Sequence, residues 1–304
     1  MTEVQTVCLL GFGEVVQMLA AQLAEANVRL TAFDTQFDTG NSPPSQAAQD
    51  QPEVAVCATA HDAARECQLV ISAVTAEQSA PAAQSVLGVL ATGTWFLDLN
   101  SVSPATKRQT AANVEQARAN YVEAAVMAPI QPLGVGAPIL IGGPHAAAFA
   151  ALAEQLGFSG LTVFSNELGK VSAAKMCRSV CIKGMEALVT EALLAARYYG
   201  VESTVIDSLQ NLLPGVDWGE HARYLIERSL AHGKRRAEEM REVAATLQDA
   251  EVEPLMSVAC AERQSLTAAL VEAVDELTLS ALLDRMLAAT GDEAGSKETP
   301  DAHH

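Results

Sequence analysis

Positive charge is scarce in this 304-residue chain: 19 lysines and arginines stand against 37 aspartates and glutamates, a formal net charge of −18. A polyanion is bound by a basic surface, so this balance excludes nucleic acid as a partner and an anionic membrane surface with it. Aromatic residues are only 4% of a chain that is 49% apolar, so its core must be filled by aliphatic side chains. The long alanine runs favour helices packed through small residues. No apolar run reaches the ~18 residues of a membrane span. The opening MTEVQTVCLL has no basic segment and too short an apolar stretch for a secretory leader. It reads as a first strand, and the chain as cytoplasmic. The six cysteines (Cys8, Cys57, Cys67, Cys177, Cys181, Cys260) show neither CxxC nor Cys/His ligand spacing. Cys177 and Cys181 share a helical face, but two thiols without further ligands make a poor zinc site, so reduced thiols and no metal are expected.

What the chain has is concentrated first at VCLLGFGEVVQMLAAQL, Val7 to Leu23, followed by a second apolar run ending at Asp34. A short strand, Gly11-Phe12-Gly13, an amphipathic helix and a second strand closing on an acid form the start of a dinucleotide-binding fold. Gly11 permits the tight turn, and Gly13 admits a pyrophosphate close to the backbone. The helix N-terminus at Glu14 and Val15 offers free N–H groups and partial positive charge. Asp34 is positioned to accept hydrogen bonds from both hydroxyls of an adenine ribose and to repel a 2′-phosphate, which favours NAD over NADP. The third glycine of the motif is replaced by Val16, a residue that demands a slightly wider helix–strand separation.

Alternation of strands and helices continues to about residue 165. Strands are expected at Val54–Ala58, Leu69–Ala73, Thr94–Leu99, Tyr121–Val126, Ile139–Gly142 and Gly160–Val163, with helices at His61–Glu66, Ala82–Leu90, Ser103-capped from Pro104 to about Asn120, and Ala146–Leu156. The polar stretch after Asp34, with its Pro-Pro, reads as a loop. From Gly169 the strand signals stop. Helical patterns cover Val171–Tyr199, Val205–Leu212, His221–Leu247, Pro254–Val274 and Thr278–Ala289. The expected fold class is α/β: a Rossmann-type, doubly wound, largely parallel domain over 1–165, an all-α domain over 166–290, and a disordered tail over 291–304.

Ligands of open α/β sheets bind beyond the carboxyl ends of the strands. Those ends carry Ala73-Val74-Thr75, small enough for a cofactor to lie close, and Asn100-Ser101, an amide and a hydroxyl. Loop and capping chemistry accounts for either segment taken alone. Further on, Lys175, Ser179 and Lys183 recur near helical spacing beside Arg178 in a helix otherwise made of Ala, Val, Met and Leu. A solvated stripe would explain them. A lysine held in a cleft beside Arg178 would instead have its charged form disfavoured, as a general acid/base near neutral pH requires. His232-Gly233-Lys234-Arg235-Arg236 is a late basic cluster, either a solvated face paired with Glu238 and Glu239 or an anion contact. Trp218 and Tyr224 line the same region or the core.

Four blocks in order resemble the β-hydroxyacid dehydrogenases, relatives of 6-phosphogluconate and 3-hydroxyisobutyrate dehydrogenase, over about residues 5–290: GFGEVV, FLDLNSVSP, VEAAVMAPIQPLGVGAPILIGG and GKVSAAKMCRS. IKGMEAL, EALLAA and RRAEEMREVA resemble a branch with a C-terminal domain of unknown function. The resemblance implies an NAD-dependent dehydrogenase of a hydroxy acid or related small alcohol. Lys175 would take the hydroxyl proton as hydride passes to the nicotinamide, and Asn100 would orient the substrate or nicotinamide. Against the better-known members, the Ser-Gly-Gly that meets a substrate carboxylate is matched by Met127-Ala128-Pro129, the asparagine after the lysine by Ser179, and the opening acid by Glu123. Arg178, whose planar fork suits a carboxylate or phosphate, is the candidate replacement. Ser101, Met127, Ala128, Pro129, Arg178 and Ser179 are thus the expected substrate residues. Gly11, Phe12, Gly13, Glu14, Val15, Asp34, Ala73, Val74, Thr75 and Asn100 are the expected cofactor residues. The resemblance also implies a homodimer through the helical domain. Two other readings remain open: a ketone or imine reductase of the same fold, which Lys175 argues against, and an NAD-sensing protein without turnover.

Overall fold

The computed structural model describes residues 4–211, 214–270 and 278–295. The chain divides into two compact units, Met1–Cys177 and Arg178–His304. In the first, the elements run β1 (Thr6–Leu10), α1 (Glu14–Leu23), β2 (Arg29–Phe33), α2 (Pro43–Gln49), β3 (Val54–Val56), α3 (Ala60–Ala64), β4 (Leu69–Ser72) and α4 (Ser79–Gln84). They continue with β5 (Trp95–Asp98), α5 (Pro104–Gln116), β6 (Asn120–Val126), β7 (Ile139–Gly142), α6 (Ala146–Gln155), β8 (Leu161–Ser165) and the start of α7 (Lys170–Tyr198). The eight strands form one sheet in the order β3-β2-β1-β4-β5-β6-β7-β8. The pairs are parallel except β6–β7.

Helices cover both faces, so the central strands are apolar on both sides rather than alternating. Val7 and Leu9 of β1 join one core with Leu19, Leu97, Ile139 and Phe149, and Cys8 and Leu10 join the other with Val70, Phe96 and Tyr121. Each fully buried aliphatic chain of this kind contributes about 1.5–3 kcal/mol. Val16 lies in the first core with no exposure, which explains the residue at the third glycine position: its isopropyl group is packing material between α1 and the sheet.

The stretch after Asp34 is not all loop. Ser42 accepts the Ser45 N–H and Pro43 occupies the first position of α2, a proline placement a helix start tolerates. Ser103 caps α5 in the same way, with Pro104 next.

The second unit is helical: the remainder of α7, then α8 (Glu202–Leu209), α9 (Trp218–Asp249), α10 (Leu255–Ala268) and α11 (Leu279–Gly295). Its apolar core joins Leu193 and Leu194 of α7, Ala222, Ile226 and Leu230 of α9, and Leu282, Leu283 and Met286 of α11. The helix expected to stop at Ala289 runs to Gly295. The remaining tail, 296–304, lies outside the described residues, as does the end of the helix expected to reach Val274. Among the described residues no helix is long and apolar enough to cross a membrane.

Candidate active site

One row of backbone pairing crosses the first unit: Phe33, Leu10, Ser72, Asp98, Glu123, Gly142 and Ser165 are neighbours in turn. Asp34, Gly11 and Ala73 are the next residues beyond that row, at the carboxyl ends of parallel strands. The sheet register therefore brings together cofactor candidates that are far apart in sequence.

Gly11 has φ +84°, and a Cβ there would lie 2.6 Å from the Ala73 carbonyl oxygen and 2.8 Å from Val74 Cγ1. Only glycine meets both demands. A Cβ on Gly13 would meet nothing within 4 Å, so this side of the loop is an open cradle that a side chain would fill. Gly13 is also the N-cap of α1 and supplies no side-chain cap, which leaves the first N–H groups directed outward. Asp34 is fixed by two bonds: the Phe12 N–H donates to Oδ2 at 2.8 Å and the Gln36 N–H to Oδ1 at 2.8 Å. Each oxygen keeps a lone pair for a ribose hydroxyl. Phe12 is buried with its ring 5.6 Å from Phe37, Glu14 is exposed and Val15 half-buried. These residues fit a nicotinamide dinucleotide at its pyrophosphate and ribose.

Asn100 is 3% exposed and joins two strand ends. Its Oδ1 accepts the Val74 N–H at 2.7 Å, and its Nδ2 donates to Ser72 Oγ at 3.0 Å. Its side chain thus holds the Ala73-Val74 edge against Gly11, so its reach toward a cofactor is through Val74. Behind it lies a set of groups not anticipated from sequence. Asp98 is fully buried, and its carboxylate pairs with Lys107 Nζ at 2.8 Å and accepts the Tyr121 hydroxyl at 2.7 Å and the Asn100 N–H at 2.9 Å. Lys107 also donates to the Asp98 carbonyl at 2.8 Å. Burial and then the Asp98 charge push the Tyr121 phenol well above its ordinary range, so it remains a donor. The signal for Lys107 was its spacing: Pro104, Lys107, Ala111 and Val114 share the buried face of α5.

Of the residues expected to meet substrate, Ser101, Met127 and Ala128 are half-buried and Pro129 is half-buried as well; Thr75, expected at the cofactor, is also half-buried. The Met127 N–H bonds to the Pro138 carbonyl at 2.8 Å, closing the loop that follows β6. Lys175 is half-buried on α7. Its helix begins where Glu123, in the register row, accepts the Gly169 N–H and the Ser172 N–H, each at 2.7 Å.

In the second unit Arg178 is exposed, three residues past Lys175. Ser179 is buried and accepts from Lys183 Nζ at 3.4 Å. Lys183 is ion-paired with Glu239. The basic run 232–236 is divided by helical periodicity: Lys234 is exposed, while Arg236 is buried and pairs with Glu186 at 2.5 Å. Burial raises the Glu186 carboxyl and lowers the Arg236 guanidinium from their ordinary values, each against the pull of its partner. Trp218 is buried with its ring 5.8 Å from His221, and Tyr224 is exposed.

Residues 6–165 match the NAD binding domain of 6-phosphogluconate dehydrogenase, and residues 196–267 match a domain of unknown function (DUF1932). A conserved hypothetical protein from Sinorhizobium meliloti 1021 is 31% identical, with 94% of this chain and 97% of that one covered and a TM-score of 0.68. A second conserved protein of unknown function, described as structurally similar to 3-hydroxyacid dehydrogenases, is 30% identical over 87% of this chain and 98% of its own, with a TM-score of 0.61. The fold is also shared with a Mycobacterium tuberculosis 3-hydroxyisobutyrate dehydrogenase solved with L-serine. That likeness has a TM-score of 0.65 and 18% identity, over 92% of this chain and 98% of that one.

Proposed function

This chain belongs to the family built on the NAD-binding domain of 6-phosphogluconate dehydrogenase, and from that premise we propose that it is an NAD-dependent dehydrogenase of a small hydroxy acid or related alcohol. It has the NAD(P)-binding fold of the 3-hydroxyacid dehydrogenases. The observation that carries the reading is the shared register row. The glycine loop leaves the sheet one residue past Leu10, and the helix bearing Lys175 is tied by its first turn to Glu123 in the same row.

Bound NAD supplies a hydride acceptor. Gly11, Gly13 and the open N-terminus of α1 hold its pyrophosphate, and Asp34 holds its adenine ribose. The Ala73-Val74 edge, braced by Asn100, lies alongside. Lys175 takes the proton of the substrate hydroxyl and returns it to the carbonyl in the reverse direction, with Ser101 and the Met127-Ala128-Pro129 segment bounding the substrate. Arg178 is the anion contact. Its exposure supports that role, as its guanidinium is open to a ligand.

The test is reduction of the nicotinamide, followed at its absorbance, over a panel of hydroxy acids, amino alcohols and aromatic alcohols. L-serine belongs in the panel because the M. tuberculosis dehydrogenase was solved with it. NAD is expected to exceed NADP in kcat/KM by roughly tenfold or more, a difference of about 1.4 kcal/mol, because Asp34 faces the 2′ position. Arg178→Ala is expected to raise KM for the anionic members and leave neutral alcohols unchanged. Tight NAD binding with no turnover across the panel would replace this reading with an NAD-sensing role.

A second copy of the chain is the proposed partner, through the helical unit. Leu188 of α7 and Leu255, Met256 and Leu266 of α10 are each more than half exposed, and clustered exposed apolar groups mark interfaces. Light scattering is expected to give twice the chain mass. A monomer at micromolar concentration would end this part of the proposal.

A further inference from the structure

The geometry points to Glu123 as the positioning residue for Lys175: a buried carboxylate on the sheet that sets where the lysine's helix begins. This inference rests on the role of Lys175 proposed above.

Glu123 has no exposure, and an ionised carboxylate in such a place requires compensation. It receives it from backbone alone. Oε2 accepts the Gly169 N–H at 2.7 Å and Oε1 the Ser172 N–H at 2.7 Å. Both donors belong to the turn that opens α7, where the N–H groups have no partner within the helix. The carboxylate also faces the positive end of the helix dipole, which favours its charge. The side chain that caps this helix therefore comes from a strand 46 residues away in sequence, rather than from the residue before the helix. Ser172 Oγ adds a bond to the Gly169 carbonyl at 3.2 Å, tightening the same turn.

Packing enforces the position. Glu123 pairs with Gly142 across the antiparallel β6–β7 ladder. Val171 is fully buried over Gly142, and a Cβ there would lie 2.7 Å from Val171 Cγ2. Leu168 crowds Gly143 in the same way, at 2.7 Å from a would-be Cβ. The start of α7 is thus held by hydrogen bonds on one side and by close packing on the other. Lys175 is three residues past Ser172 and four past Val171, on the face those residues share. Long helical side chains lean toward the helix N-terminus, which carries the lysine back over the turn that Glu123 fixes. A shift in that turn moves the ammonium by the same amount, and reacting groups displaced by ~1 Å lose on the order of 10²-fold in rate.

The length of the side chain is part of the device. Aspartate is one methylene shorter and reaches one amide, not both. Glutamine keeps the shape, but it presents an NH₂ to one of the two N–H donors and carries no charge to the dipole.

The experiment is a cycle of Glu123→Gln and Lys175→Met, singly and together, with kcat expressed per NADH-binding site counted by fluorescence titration. The counting removes unfolded molecules from the comparison. Glu123→Gln is expected to lower kcat about 10- to 100-fold while KM for NAD is unchanged. In the Lys175→Met background the same substitution is expected to cause no further loss, because two residues acting through one step are not additive. Equal fold losses in both backgrounds would show a role in general stability only and overturn this inference, as would full kcat in Glu123→Gln. Full turnover in Lys175→Met alone would overturn the lysine's role and this inference with it, so the two failures are distinguishable. If Glu123→Gln binds no NADH, the milder Glu123→Asp carries the same comparison.

Discussion

A Lys175→Met variant is expected to bind NADH as the parent does and to turn over about 10²–10⁴ times more slowly, the range spanned by general acid–base catalysis. Methionine keeps the length, the apolar stem and the helix propensity of lysine, so α7 and the buried Met176 beside it are left in place. Only the amine is removed, and the substrate hydroxyl then has no residue to take its proton. The cofactor contacts at Gly11, Gly13 and Asp34 lie on other elements. KM for NAD should therefore hold, while kcat and kcat/KM for the alcohol fall together, the signature of an interaction made in the transition state. Stopped-flow or steady-state measurement of nicotinamide reduction checks this. Undiminished turnover would assign the proton to another group.

The second large effect lies in the interior. Lys107→Met is expected to destabilise the nucleotide-binding unit by about 3–5 kcal/mol, the cost of removing one member of a buried ion pair. The carboxylate of Asp98 would remain buried with only the Tyr121 hydroxyl and the Asn100 N–H as donors. Calorimetry should show the transition of that unit lowered on the order of 10 °C. Adding Asp98→Asn should recover part of the loss, because a neutral amide removes the buried charge. The damage should also reach the cofactor. Asp98 orients Asn100, Asn100 holds the Val74 N–H, and that edge lies against Gly11, so KM for NAD should rise in Lys107→Met at temperatures where the unit is still folded. A transition within 1 °C of the parent would mean that the pair contributes nothing.

Much of the nucleotide-binding half could be read from residue patterns, because its signals are local. A strand, a glycine turn, a helix and an acid within Val7–Asp34 identify themselves by spacing. The polar stretch after Asp34 was misread because Pro43-Pro44 resembles a loop until Ser42 is recognised as a cap, with proline at the one helical position that suits it. Lys107 was missed for the opposite reason. A lone lysine on a polar helix reads as surface, and only the positions of Pro104, Ala111 and Val114 turn it inward. The run at 232–236 looked like a single basic patch, yet consecutive residues of a helix point about 100° apart, and Arg236 is directed to Glu186 while Lys234 meets solvent. The two bonds of Glu123 join residues 46 and 49 apart in sequence, and no local pattern carries that information.

The Glu123 clasp also sets where the chain can be divided. The dinucleotide-binding match ends at residue 165, but a fragment cut there would keep the buried carboxylate and lose both amides that neutralise it. Autonomy of the first half therefore requires the opening turns of the helix it shares with the second half. On the ribosome, the sheet would be complete in its strands at Ser165 and complete in its charges only once Ser172 has emerged.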